Sequence, residues 1–271
     1  MKRFAPFLAA AALAAHGVRG EELPLWEVGI GVAGISFPDY RGSSNQRTYV
    51  LPVPMFAYRG DYLQADRERF RGVLFRSERF DVDLSLNASV PVSSDDDTVR
   101  AGMPDLDPTL EVGPTANIRL THTSRYTLRL RLPVRAVIAT DLRSVDGAGV
   151  VANPNLNLDV RLDGGWKLGF VAGALFADRR NHGYFYDVAP EFARPDRPAY
   201  DAPGGYSGAQ FIVTLSKRFG PWFVGGFVKH DLLNGAAFEA SPLVERSSNV
   251  AAGIAVTWAF ARSEKRVVVR D

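Results

Sequence analysis

Large apolar residues alternate with small or polar ones along most of this chain. Trp26-Glu27-Val28-Gly29-Ile30-Gly31-Val32-Ala33 begins the pattern, and Phe80-Asp81-Val82-Asp83-Leu84-Ser85-Leu86-Asn87 sharpens it. Tyr126-Thr127-Leu128-Arg129-Leu130-Arg131-Leu132 repeats it with arginine as the polar partner. A period of two sends the two classes to opposite faces of a strand, whereas a helix would scatter them. Twelve such segments are expected: 25–36, 49–58, 60–67, 70–77, 79–90, 109–121, 125–140, 150–162, 165–177, 206–218, 221–231 and 249–260. Most are longer than the usual strand of a soluble sandwich, about 5–6 residues.

The connections fall into two sets that alternate along the chain. One set is 37–48, 68–69, 91–108, 141–149, 178–205 and 232–248, long except for 68–69. The other is Arg59, Glu78, 122–124, Asp163-Gly164 and Phe219-Gly220, all tight. Short turns at one end and long loops at the other are the pattern of a transmembrane β-barrel, and Greek-key sandwiches do not sort their loops this way. The expected fold is therefore all-β: an up-and-down antiparallel barrel of about twelve strands over residues 21–260. An even, closed sheet leaves no edges and brings both termini to the short-turn side.

Face chemistry points the same way. Leu84, Leu86, Leu110, Leu120, Leu132, Val134, Leu156, Phe170, Ile254 and Trp258 share the apolar parity. Asp81, Asp83, Glu111, Arg119, Arg129, Arg131, Arg135, Asp159 and Arg161 share the other. Charges on a lipid face cost several kcal/mol at mid-depth, so these nine are expected to line the lumen. Trp26, Tyr49, Tyr58, Tyr62, Tyr126, Trp166, Trp222 and Trp258 gather near segment ends, as an interfacial girdle would. A soluble barrel would reverse the faces, and a soluble periplasmic β-protein is the alternative architecture.

No run reaches the roughly 18 apolar residues of a spanning helix. The longest apolar stretch, Phe4 to Ala15, follows Lys2 and Arg3 and precedes Val18 and Gly20, the arrangement of a cleaved signal peptide over residues 1–20. Its removal takes away Lys2, Arg3 and Arg19 and no acid, so the formal net charge of +2 falls by three to −1. Nucleic acid is not a natural partner for such a chain. With no cysteine there is no disulfide framework and no thiolate metal site.

Phe37-Pro38-Asp39-Tyr40-Arg41-Gly42-Ser43 resembles the Pro-x-Tyr-x-Gly-Ser loop of the MipA/OmpV outer-membrane proteins. Leu51-Pro52-Val53-Pro54 and Tyr58-Arg59-Gly60-Asp61 resemble that family's second strand and turn. Gly183-Tyr184-Phe185-Tyr186-Asp187-Val188 resembles its aromatic loop, and Ala240-Ser241-Pro242-Leu243-Val244 its Ser-Pro segment. The resemblance implies a barrel in a Gram-negative outer membrane, in contact with its lipids. It also implies a non-enzymatic scaffold or surface role without a cofactor, with a lytic transglycosylase and a penicillin-binding protein of peptidoglycan synthesis as partners. One departure is that Phe260, the final aromatic, is followed by Ala261 to Asp271. This basic tail, 261–271, is expected on the periplasmic side, with Val267-Val268-Val269 suited to strand addition on a partner.

Catalysis finds little support in the residues. His122, His182 and His230 are the histidines beyond the leader, with Ser207 and Ser241 as possible nucleophiles, and no spacing enforces a triad. Gly29-Ile30-Gly31-Val32-Ala33-Gly34 matches a dinucleotide fingerprint, but Phe37-Pro38-Asp39 stands where a helix would have to open. Asp95-Asp96-Asp97 reads as a solvated loop tip, with calcium as the sharper alternative. The arginine ladder leaves two readings open: a narrow, anion-favouring solute channel, or an interior salt-bridge network that plugs the barrel.

Overall fold

The computed structural model describes residues 21–60, 63–65, 70–77, 79–141 and 143–269. The expected signal segment lies outside them. In chain order the elements are β1 (Glu21–Pro24), β2 (Trp26–Pro38), β3 (Gln46–Arg59), β4 (Leu63–Ala65), β5 (Phe70–Arg76), β6 (Phe80–Ala88), β7 (Thr109–His122) and β8 (Tyr126–Thr140). They continue with β9 (Val145–Ala152), β10 (Asn155–Arg161), β11 (Trp166–Ala177), helix α1 (Arg179–Tyr186), β12 (Gly205–Phe219), β13 (Trp222–Leu232), β14 (Ser248–Arg262) and β15 (Arg266–Val269).

Each strand from β2 to β14, β9 excepted, pairs antiparallel with the next, and β14 returns to pair with β2. β9 and β10 occupy one position in the wall, because β8 and β11 each pair with both. The ring is thus a closed, twelve-position up-and-down barrel. The expected segment 150–162 corresponds to this interrupted strand, which starts earlier, at Val145. The break falls at Asn153-Pro154, where proline has no N–H for the ladder. The Asn153 side chain donates to the Ala174 carbonyl and the Asn155 side chain to the Asn153 carbonyl, so polar groups freed by the break stay bonded.

Parity is as the alternation dictates. Leu86, Leu110, Leu120, Leu132, Val134, Leu156, Phe170, Ile254 and Trp258 are exposed around the outer face. Asp83, Thr115, Asn117, Asn155, Asn157 and Thr257 are buried on the inner one. Trp166 packs edge-on against Phe219, and Trp222 stacks near Trp258, forming an aromatic girdle at the short-turn end. Tyr49 departs from the expected girdle: it shares the inner parity of Phe37 and stacks on it 5.7 Å away. Tyr62 lies outside the described residues.

Gly29 and Gly31 sit where β2 meets β14. A Cβ there would lie 2.1 and 2.3 Å from the carbonyl oxygens of Trp258 and Val256. The apparent dinucleotide fingerprint is therefore a close strand contact inside an unbroken strand.

Strand structure continues past residue 260. β14 runs to Arg262, past a bulge at Phe260. β15 then pairs with β1, from Pro24↔Arg266 to Glu21↔Val269. Leu25 N–H donates to the Lys265 carbonyl and Ser263 N–H to the Trp26 carbonyl, which joins this ribbon to the β2–β14 seam. Val267 to Val269, expected to await a partner's strand, are already paired within the chain.

Candidate functional site: a capped lumen

Four long loops, 39–45, 89–108, 178–204 and 233–247, converge on one apolar core. Tyr40, Val92, Leu106, Tyr186, Ala202, Leu233, Ala236 and Phe238 are all buried in it. Tyr186, at the end of α1, stacks on Phe238 with ring centres 3.7 Å apart and planes 6° from parallel. Burial raises the Tyr40 and Tyr186 hydroxyls above the ordinary tyrosine range, so both stay protonated as donors. Tyr40 donates to the Leu243 carbonyl at 2.9 Å and Tyr186 to the Arg41 carbonyl at 2.8 Å.

The polar contacts of the cap tie the same loops. Asn249, at the head of β14, accepts from Gly42 N–H and donates to the Ser43 carbonyl. Ser241 Oγ donates to the Tyr186 carbonyl. Arg100 lies over the Tyr40 ring and donates to the Phe185 carbonyl, while burial lowers its pKa. Asp97 is buried, corrects the reading of Asp95-Asp96-Asp97 as a solvated tip, and accepts from the N–H groups of Val99 and Arg100. Among the described residues no group of three or more acids or histidines is placed to hold a metal.

Helix α1 is capped by Asp178, whose carboxylate accepts from Asn181 N–H, and Asn181 ties the helix to β9 through the Ala148 carbonyl. His182, on the inner side, reaches Pro203 O through Nδ1 and Ser207 Oγ through Nε2, both at 2.6 Å. A carbonyl only accepts, so Nδ1 carries the proton and Nε2 takes the Ser207 hydroxyl. Burial, with the Arg41 guanidinium nearby, holds His182 below the usual histidine pKa and keeps it neutral. Ser207 reaches it because of a bulge: Leu175 pairs with Gly208 and Phe176 with Tyr206, which leaves Ser207 as the extra residue. Both side chains are almost fully buried. No sequence spacing pointed to this pair.

His230 and Asp231, adjacent in sequence, are on opposite faces of β13. Asp231 faces inward, 2.9 Å from Lys229 and 3.4 Å from Arg41, which also donates to the Ser207 carbonyl. His122 bonds Thr127 across the β7–β8 turn.

Below the cap, the nine expected lumen charges all lie on the inner parity. Arg129 meets Asp159 and Arg135 meets Glu111, each at 2.7 Å. Arg131 Nε donates to the Asn117 side-chain oxygen, and the Asn117 amide donates to Asp81 and Asp83 at 2.9 and 3.1 Å. Arg161 donates to the Ser124 carbonyl near the turns, and Arg119 borders a recess with Arg79 and His122. Sequence missed a second cluster at that end: Glu27, fully buried, is held by Arg59 at 2.7 Å and by Arg218 from β12. Its only signal was an acid alternating with apolar residues.

Three solved structures share the barrel at low identity. A bacterial polysaccharide outer membrane secretin is 8% identical, covers 87% of this chain and 99% of its own, and has a TM-score of 0.44. The NanC porin is 10% identical over 85% and 100% of the two chains, at 0.41. The COG4313 outer membrane channel from Pseudomonas putida F1 is 13% identical over 90% and 98%, at 0.37. These likenesses are too loose to carry a role across. No curated protein matches the chain. The model of a family described as MltA-interacting protein MipA matches residues 30–260. That span holds the barrel and all three loop motifs of the cap core, and the chain belongs to the MipA family.

Proposed function

We propose that this barrel resides in the outer membrane of a Gram-negative envelope, shut along its axis, and acts as a non-enzymatic scaffold through contacts outside the lumen. The observation that carries the reading is the cap: Tyr40, Tyr186 and Phe238, from three different loops, share one buried core across the long-loop end. Below it Arg129, Arg131 and Arg135 each meet an acid or an amide, which spends the field an anion pore would need. The His182–Ser207 pair acts as a clasp for α1, because neither side chain is open to a substrate. With the long loops outside, the short turns and the β1–β15 ribbon face the periplasm. The family's name speaks of interaction with MltA. By that resemblance the partners are a lytic transglycosylase and a penicillin-binding protein of peptidoglycan synthesis.

Planar-bilayer recording of the refolded protein tests the reading. The expected trace is flat, and large stable steps would overturn it in favour of the narrow anion-favouring channel. Crosslinking in intact envelopes, followed by pull-down, tests the partners: transglycosylase and penicillin-binding protein are expected, and loop-side surface proteins alone would refute the periplasmic scaffold.

A further inference from the structure

The outer face is not evenly studded. Gly226, Ile254 and Gly34 form one rung across β13, β14 and β2, so Ile254 stands 60% exposed between two residues with no side chain. On the next outward rung Ala252 separates Val228 from Ser36. With Val213 on β12 and Thr48 on β3, these residues line a notch of about 550 Å³. A Cβ added at Gly34 would meet nothing within 4 Å, so open space lies directly outside that residue.

The girdle fixes the depth of the notch. Trp26 and Tyr58 are paired at the short-turn end, and Ser36 and Thr48, also paired, lie ten residues further along β2 and β3. At about 3.4 Å a residue and a tilt of about 40°, that is roughly 26 Å of height, against an apolar band about 25 Å tall. Gly226 is only four residues from Trp222 on β13, roughly 10 Å of height by the same measure. The notch therefore slants from the long-loop edge of the band to near its middle, the depth of one lipid leaflet. Water does not fill a hollow in a lipid-facing wall, and an empty one forfeits the dispersion contacts of its lining. Hydrocarbon is the medium at hand.

The upper end of the notch is polar. Thr48 Oγ1 donates to Ser36 Oγ at 3.0 Å, and Gln46 Nε2 donates to the same oxygen at 3.2 Å and to the Val250 carbonyl at 3.0 Å. Ser36 Oγ thus accepts twice, and its own hydrogen is left for an acceptor beyond the wall. An ester carbonyl, which joins a lipid's chain to its head group, is such an acceptor at that height.

We propose that the notch binds one acyl chain of a membrane lipid in the long-loop leaflet, its ester carbonyl accepting from Ser36 and its methylenes lying along Ala252 to Gly226. This goes beyond the scaffold reading and does not rest on it, because it needs only the outer wall and stands whether or not the lumen conducts.

Native mass spectrometry tests the site. The protein, refolded in detergent and checked by heat-modifiable migration, would be titrated with phosphatidylcholine carrying ester-linked chains, and separately with the ether-linked analogue, which has no carbonyl. The expected single-lipid adduct forms at least fivefold more readily with the ester lipid. Gly34→Leu, whose side chain enters the hollow, should lower that adduct at least fivefold, while Ser36→Ala should bring it down to the level of the ether lipid. Ala172→Leu, which adds the same bulk to the outer face of β11, should leave it unchanged. Equal adducts with both lipids would overturn the site, as would a Gly34→Leu adduct equal to the parent's or an ester preference that survives Ser36→Ala. A protein dimer abolished by Gly34→Leu would overturn it too, by assigning the notch to a second copy.

Discussion

Tyr186 and Phe238 come from loops separated by some fifty residues, yet their rings lie 3.7 Å apart and nearly parallel. Each is almost fully buried although neither belongs to a strand. The stack joins two loops that would otherwise be independent flaps on a rim.

Replacing Phe238 by alanine should therefore loosen the cap while sparing the barrel. Core Phe→Ala changes cost about 3–5 kcal/mol. The expected outcome is normal heat-modifiable migration, fast proteolysis within 178–204 and 233–247, and bilayer current where the parent has none. Unchanged proteolysis would show that the core does not hold the loops.

Acid should loosen the same cap through His182. Its folded pKa lies below the value of about 6.5 for an unfolded histidine, because burial disfavours the charged ring. Between the two values the unfolded loop binds a proton that the folded cap refuses, so stability falls as pH falls. The contribution is complete above about pH 6.5 and is lost as the pH drops from there through the folded value. Loop proteolysis should quicken from pH 7.5 to 5, and the His182→Gln variant should show a flatter profile.

Neutralising the ladder separates plug from pore. Arg129→Gln, Arg131→Gln and Arg135→Gln together should lower the thermal midpoint, each costing about 1 kcal/mol or less of stability where lumen water reaches the pair. Recordings should stay flat. A change in ion selectivity would mean that the arginines face a conducting path.

A chain stopped after Arg262 keeps the whole of β14 and removes β15. It should still insert and migrate as a folded barrel, since the β2–β14 ladder is intact. Crosslinks to periplasmic partners should fall if the ribbon is where they dock; an unchanged crosslink pattern would move docking to the turns.

Much of the wall was legible because a half-buried strand must alternate, and Asp81, Asp83 and Arg129 to Arg135 announce their face by parity alone. Loop contacts obey no period. Tyr40, Tyr186 and Phe238 looked like isolated aromatics, and only the resemblance drew attention to the first two loops and to the segment just after Phe238. Ser207 was hidden for another reason: one extra residue in the β12 ladder turns its side chain inward, and such a bulge leaves no mark on hydropathy. The pairing of Glu21–Pro24 with Arg266–Val269 was beyond reach because four residues are too few to show a period.

That pairing has a topological consequence. Cα atoms opposite each other in an antiparallel ladder lie about 4.5–5.5 Å apart, and Glu21 is opposite Val269. From Glu21 to Val269 the backbone is therefore almost a loop. In a variant made of residues 21–269, a linker of a few residues from Val269 to Glu21 would close a circle with no strand moved, and it could be reopened at Gly164-Gly165, in the turn between β10 and β11. Such a circular permutant would begin with β11 and end with β10, yet close the same ring, with the β2–β14 seam become an ordinary internal pairing.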